Sequence, residues 1–206
     1  MALAPTPRAA HDFPVIDDDI RVRPVRPDDA DELERLYAEL SDSSRRLRFH
    51  VRSHVVDRRA AAAFAAADHV RHEGFVALAG TRVVGHLALE PLGERVDEVS
   101  LVVADCTQHR GVGTLLLAAG LASARLRARR WIVAWVMAEN AAARHLLEST
   151  HRRVRIFWEG SVARYEIEVP PSALTGTSTP TSVAVTRKMG GNRPLKRGDR
   201  TPSLPG

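Results

Sequence analysis

Lysine is nearly missing from this chain: among 206 residues it occurs only at positions 188 and 196. A phosphate loop of the Gly-Lys-Ser/Thr type, whose lysine reaches the phosphates, is therefore excluded from everything before Lys188. Cysteine occurs once, at Cys106. That excludes an internal disulfide framework and a multi-cysteine zinc site, and it fits a reducing compartment. Cys106 itself reads as a small loop residue. The nine histidines form no HExxH-type spacing, and His50 and His54, though one helical turn apart, have no evident third ligand. A metal is not expected. No apolar run is long enough to cross a bilayer. Residues 1–20 lack the charged-then-apolar layout of a secretory leader. The expected location is the cytoplasm, away from membranes.

What is present suits one folded domain with extensions. Apolar residues make up 44% of the chain and charged residues 27%, ordinary values for a globular protein. The formal net charge of +5 suggests nucleic acid until it is located. Arg187, Lys188, Arg193, Lys196, Arg197 and Arg200 against Asp199 account for all of it, so residues 1–170 are neutral in sum. The basicity belongs to the tail, and composition requires no basic face on the folded part. We read 1–18 as a flexible arm, 19–170 as the folded domain, and 171–206 as a disordered basic tail rich in Pro, Thr, Ser and Gly.

Apolar spacing within 19–170 predicts a strand at 20–26 and a helix opening at Pro27-Asp28-Asp29. Two short helices follow, one to about Phe49 and one over 57–67. Strands at 75–79 and 82–90 flank a Gly80-Thr81 turn, and a third spans 98–104. A helix over 111–129, a near-continuously apolar strand at 131–138, a helix capped by Asn140, and strands at 152–158 and 163–169 complete the order. This is an α/β fold with one mixed central sheet flanked by helices.

The segment most telling for function is Gln108-His109-Arg110-Gly111-Val112-Gly113-Thr114, between a strand and a helix. Glycines there let backbone N–H groups crowd an anion at the positive end of the helix. A dinucleotide fingerprint requires a third glycine where Leu116 stands. With the lysine-bearing loop also excluded, the turn fits a phosphate that is neither a Rossmann dinucleotide nor a nucleoside triphosphate.

Gln108-x-x-Gly111-x-Gly113 after a strand, Glu139-Asn140 closing a later strand, and Ala143 and Leu146 on the next helix resemble the GNAT acyl-CoA N-acyltransferase superfamily over roughly residues 20–169. Leu40-Ser41-Asp42-Ser43-Ser44 leading into Leu47-Arg48-Phe49, with Asp97 to Asp105, is similar to the subgroup containing bacterial protein lysine acetyltransferases. The resemblance implies that backbone groups of Gln108, His109, Arg110, Gly111, Val112, Gly113 and Thr114 hold the CoA pyrophosphate. It implies that the strand carrying Leu101 and Val103 binds the pantetheine arm and polarises the thioester, and that Asn140 contacts CoA beyond it. Glu98 is the implied general base, with Asp97 and Glu94 as weaker alternatives, because a lysine amine of pKa ~10.4 is mostly protonated at neutral pH.

The implied activity is acetyl transfer from acetyl-CoA, as cosubstrate, directly to a primary amine, with a protein lysine as the acceptor. A small-molecule amine, or a catalytically silent acyl-CoA-binding regulatory module, is the alternative. The sequence departs from the family where a tyrosine commonly follows the Asn140 position. Leu146 and Leu147 stand there, and Tyr165 lies far along. It departs again at His151-Arg152, where Gly-Phe is usual. Trp131, Trp135 and Trp158 read as core or cleft-wall aromatics. Arg45, Arg46 and Arg48 read as a solvated helix face.

Overall fold

In the computed structural model, residues 20–50 and 55–171 are described. The arm at 1–18, His54 and nearly all of the tail lie outside them. Seven strands, β1 (Ile20–Pro24), β2 (Glu73–Ala79), β3 (Arg82–Gly93), β4 (Val96–Val103), β5 (Trp131–Met137), β6 (Val154–Glu159) and β7 (Val162–Glu168), form one sheet in the order β1-β2-β3-β4-β5-β7-β6. The helices are α1 (Ala30–Ala38), α2 (Asp42–Phe49), α3 (Arg58–Ala65), α4 (Val112–Leu126) and α5 (Ala141–Glu148). Every element expected from the periodicity is present, with ends displaced by a few residues.

Each face of the sheet buries its own core. On one face Leu87, Leu89, Val99, Ile132, Ala134 and Tyr165 pack against Leu115, Leu116 and Leu121 of α4 and Leu147 of α5. On the other, Val76, Val83 and Val102 pack against Leu33, Leu36 and Tyr37 of α1 and Ala61 of α3. The entry to α1 is fixed by Asp29. Its carboxylate accepts from the Arg26 backbone N–H (2.8 Å) and from both Arg23 guanidinium nitrogens (2.6 and 2.7 Å).

Five of the six strand junctions are antiparallel ladders; the junction of β4 with β5 is different. These two run parallel and pair only at Val96–Trp131, Asp97–Ile132 and Glu98–Val133. Beyond Glu98 they part. β4 continues along β3 as far as Val103, and β5 along β7 as far as Met137. The sheet therefore splits in the middle, leaving the backbone of β4 beyond Glu98 without a strand on that side.

Candidate active site

The split opens a cavity of about 970 Å³. Its walls come from β4 (Glu98–Val103), Ala134–Val136 of β5, α2, the turn and first residues of α4, and α5. Of the residues singled out from sequence, Glu98, Leu101, Val103, Gln108, His109, Gly111, Val112, Gly113, Thr114 and Asn140 all line it. Arg110 lies in the same turn but is not among the lining residues.

The turn owes its shape to local chemistry. His109 (φ 61°) and Gly111 (φ 78°) both take the left-handed conformation, which folds the chain back before α4 begins. Only glycine adopts it without strain. The next N–H groups, at the start of α4, have no carbonyl one turn behind them, so they are free to meet an anion. Gly113 has a different reason: a Cβ there would sit 3.3 Å from Leu146 Cδ2. The missing side chain lets α4 and α5 close the floor of the cleft. Leu101 and Val103 also approach Gly113 with their side chains (3.8 and 3.9 Å from that Cβ position), which leaves their backbone edges to the gap.

Strand alternation sends Asp97 and Glu98 to opposite faces. Asp97, fully buried under α4, is paired with Arg127 (2.7 Å) and Arg129 (3.0 Å). Burial pushes its carboxyl up, against the pull of both guanidiniums. It is committed to structure, and the sequence alternative that made it a base is set aside. Glu94 is absent from the cavity wall as well. Glu98, half-buried, lines the cavity at the point of the split. Among the described residues its carboxylate has no hydrogen-bond or ion-pair partner.

The other lip is less simple. Asn140 caps α5 as expected, its side-chain oxygen accepting from Ala143 N (3.0 Å). Tyr165 is no substitute for the missing cleft tyrosine. It is 1% exposed, donates to Glu148 Oε1 (3.0 Å), and burial together with Glu148 pushes it up to about 12. Trp135 lines the cleft, whereas Trp131 stacks under Arg155 (4.4 Å).

Helix α2 departs from the sequence reading. Its arginines are not a solvated face. Arg45 donates to Leu40 O (2.7 Å), Arg46 bridges the cleft to Glu139 (2.5 Å), and Arg48 donates to Ser100 Oγ (2.8 Å). The Ser41 N–H, the Ser41 hydroxyl and the Ser44 hydroxyl converge on Asp105 (2.9, 2.9 and 2.6 Å). Partial burial raises the Asp105 carboxyl, but the hydrogen bonds from Ser44 and Ser41 outweigh it and hold the group below the usual carboxylate range. Behind α2, His86 is buried, touching Tyr37 Oη through Nδ1 (2.9 Å); burial, reinforced by Arg48, lowers it to about 3.

The sequence profile of the acetyltransferase (GNAT) family matches residues 33–151. The chain belongs to that family. Among solved structures, it is similar to the GNAT domain of S. lividans PAT, at 27% identity and a TM-score of 0.67 over 72% of this chain and 90% of that one. The GNAT fold is shared with yncA, a putative acetyltransferase from Salmonella typhimurium seen with its cofactor acetyl-CoA (16% identity, TM-score 0.62, 80% and 99% covered). It is shared also with RimL, a ribosomal L7/L12 alpha-N-protein acetyltransferase in complex with CoA (11% identity, TM-score 0.63, 77% and 98% covered). No curated protein matches significantly. Among the described residues no group of three or more His, Cys, Asp or Glu is placed to hold an ion, and no helix is long and apolar enough to cross a membrane.

Proposed function

We propose that this GNAT protein transfers the acetyl group of acetyl-CoA directly to a primary amine. The observation that carries this is the convergence, in one cleft, of an anion-ready turn, an unpaired strand edge and an uncommitted carboxylate. The pyrophosphate of acetyl-CoA sits on the backbone of Gln108–Thr114. The pantetheine arm lies along β4 in the gap, with Asn140 on the opposite lip. A backbone N–H in the Leu101–Val103 stretch polarises the thioester carbonyl and stabilises the oxyanion as it forms, often a large part of such catalysis.

The amine enters in its neutral form from the α2 side, and Glu98 takes the proton that its nitrogen sheds on attack. Nitrogen bonds to the carbonyl carbon, the tetrahedral intermediate collapses, and the C–S bond breaks. CoA leaves as thiolate. An ordinary thiol pKa of ~8.5 lets it leave without a dedicated acid, which accommodates a cleft wall with no tyrosine. The acceptor favoured by the likeness of Leu40–Phe49 and Asp97–Asp105 to the lysine-modifying subgroup is a protein lysine.

Glu98→Gln tests the chemistry. Acetyl-CoA binding, measured by calorimetry, stays unchanged while transfer slows by about 10²–10⁴-fold, the usual worth of a positioned base. Unchanged turnover overturns the role of Glu98. Incubation with labelled acetyl-CoA and a proteome lysate tests the acceptor, with label on protein lysines expected. Binding of acetyl-CoA with no amine ever acetylated establishes a silent binding module instead.

A further inference from the structure

Asp105 poses a problem for a pyrophosphate site. It is a carboxylate three residues before the turn that meets the anion, and a like charge there weakens anion binding. Its hydrogen bonds show what it does instead. Both of its oxygens are taken by the start of α2: Oδ2 by the Ser41 N–H, and Oδ1 by the Ser41 and Ser44 hydroxyls. Gln108, the first residue of the turn, ties the same knot from the other side. Its Nε2 donates to Ser44 Oγ (3.2 Å), to Val103 O (3.3 Å) and to Asp105 Oδ1 (3.4 Å).

Helix α2 depends on such ties. None of its residues is buried, and Phe49 alone among its side chains packs, partly buried, on the α1/α3 core. Yet α2 forms the acceptor side of the cleft and carries Arg46 and Arg48 to Glu139 and Ser100. Where a helix lacks a buried stripe, its polar anchors decide its position.

We propose that Asp105 is a positioning residue that couples occupancy of the acyl-CoA turn to the placement of α2, giving up some acyl-CoA affinity in return. Binding of the pyrophosphate fixes Gln108 and the residues before it. Asp105 and Gln108 then hold Ser41 and Ser44, and α2 is set for the amine only when the acyl donor is present. The inference rests on the acyl-CoA reading of the turn but not on the chemistry of transfer.

The test is hydrogen exchange of the full chain with and without acetyl-CoA, on wild type, Asp105→Asn and the Ser41→Ala/Ser44→Ala double variant. In wild type, acetyl-CoA slows exchange across Asp42–Phe49 as well as across Gln108–Thr114. In both variants protection of the turn persists while the ligand-induced protection of α2 falls about tenfold, the worth of hydrogen bonds to a charged group. By linkage, losing that coupling weakens acetyl-CoA binding by up to about tenfold, of which removal of the like charge in Asp105→Asn returns up to about fourfold. The double variant, which keeps the charge, shows no such gain. A residue that merely supported the fold would lower protection of α2 equally with and without acetyl-CoA. The proposal is overturned if α2 keeps its ligand-induced protection in Asp105→Asn, or if that variant binds acetyl-CoA no tighter than the double variant. If acetyl-CoA fails to protect the turn in wild type, the acyl-CoA reading fails, separately from the coupling.

Discussion

The two faces of the split sheet each bury a titratable group, and they deal with it in different ways. Under α4, Asp97 lies between Arg127 and Arg129, and burial pushes its carboxyl up despite them. Under α1 and α3, His86 gives its charge up, resting neutral against Tyr37 among aromatic rings. Asp97 is held in an ionic lock with two cations, whereas His86 sits among uncharged rings. Glu98 stands next to Asp97 in the chain and looks onto the second face, where no partner among the described residues competes for its carboxylate. A base must be free to accept a proton, and a face whose ionised groups were all paired would not offer one.

Breaking the ionic lock has the largest expected effect. Asp97→Ala leaves two buried guanidiniums without an anion, so unfolding by denaturant should show a loss of about 3–5 kcal/mol. A loss below about 1 kcal/mol would mean that the pair is as cheap as a surface bridge. The neutral solution is next, and it is tested by pH. Histidine in the unfolded chain titrates near ~6.5, whereas in the fold His86 lies at about 3. Between those values the unfolded chain takes up the proton and the folded one does not. The stability due to neutral His86 is thus complete above about pH 6.5 and is lost as pH falls towards 3, by about 2–3 kcal/mol at pH 4.5. His86→Gln cannot titrate, and its stability should fall less over the same range. Parallel pH curves for the two proteins would refute this. The smallest effect belongs to Arg46 and Glu139, a partly exposed pair across the cleft. Glu139→Gln should cost at most about 1 kcal/mol of stability, less at high salt. A larger, salt-insensitive loss would show that the bridge is part of the architecture.

The sequence carried the elements because their signals are local: alternation in β4, helical spacing in α1 and α4, Asn140 as a cap, glycines at the turn. It also carried the cleft wall, since Glu98 to Thr114 is one continuous stretch. What it could not display was nonlocal. Ser41 and Asp105 are 64 positions apart, and nothing in either neighbourhood announces the other. The arginines of α2 looked solvated because no apolar stripe marks a buried face, and the partners of Arg48 and Arg46 lie on β4 and after β5. Alternation told that Asp97 and Glu98 part company, but not which of them meets arginines. That depends on α4 ending above Asp97.

The short junction of β4 and β5 has one more consequence, for solubility. Beyond Glu98, β4 is an edge strand placed in the middle of a sheet. Edges left open invite foreign strands and aggregation. Here the edge sits inside a cleft walled by α2, α4 and α5, where a strand bearing side chains on both faces meets those walls first. A protein that leaves its hydrogen-bonding groups unpaired for a slender ligand has thereby hidden them from its neighbours.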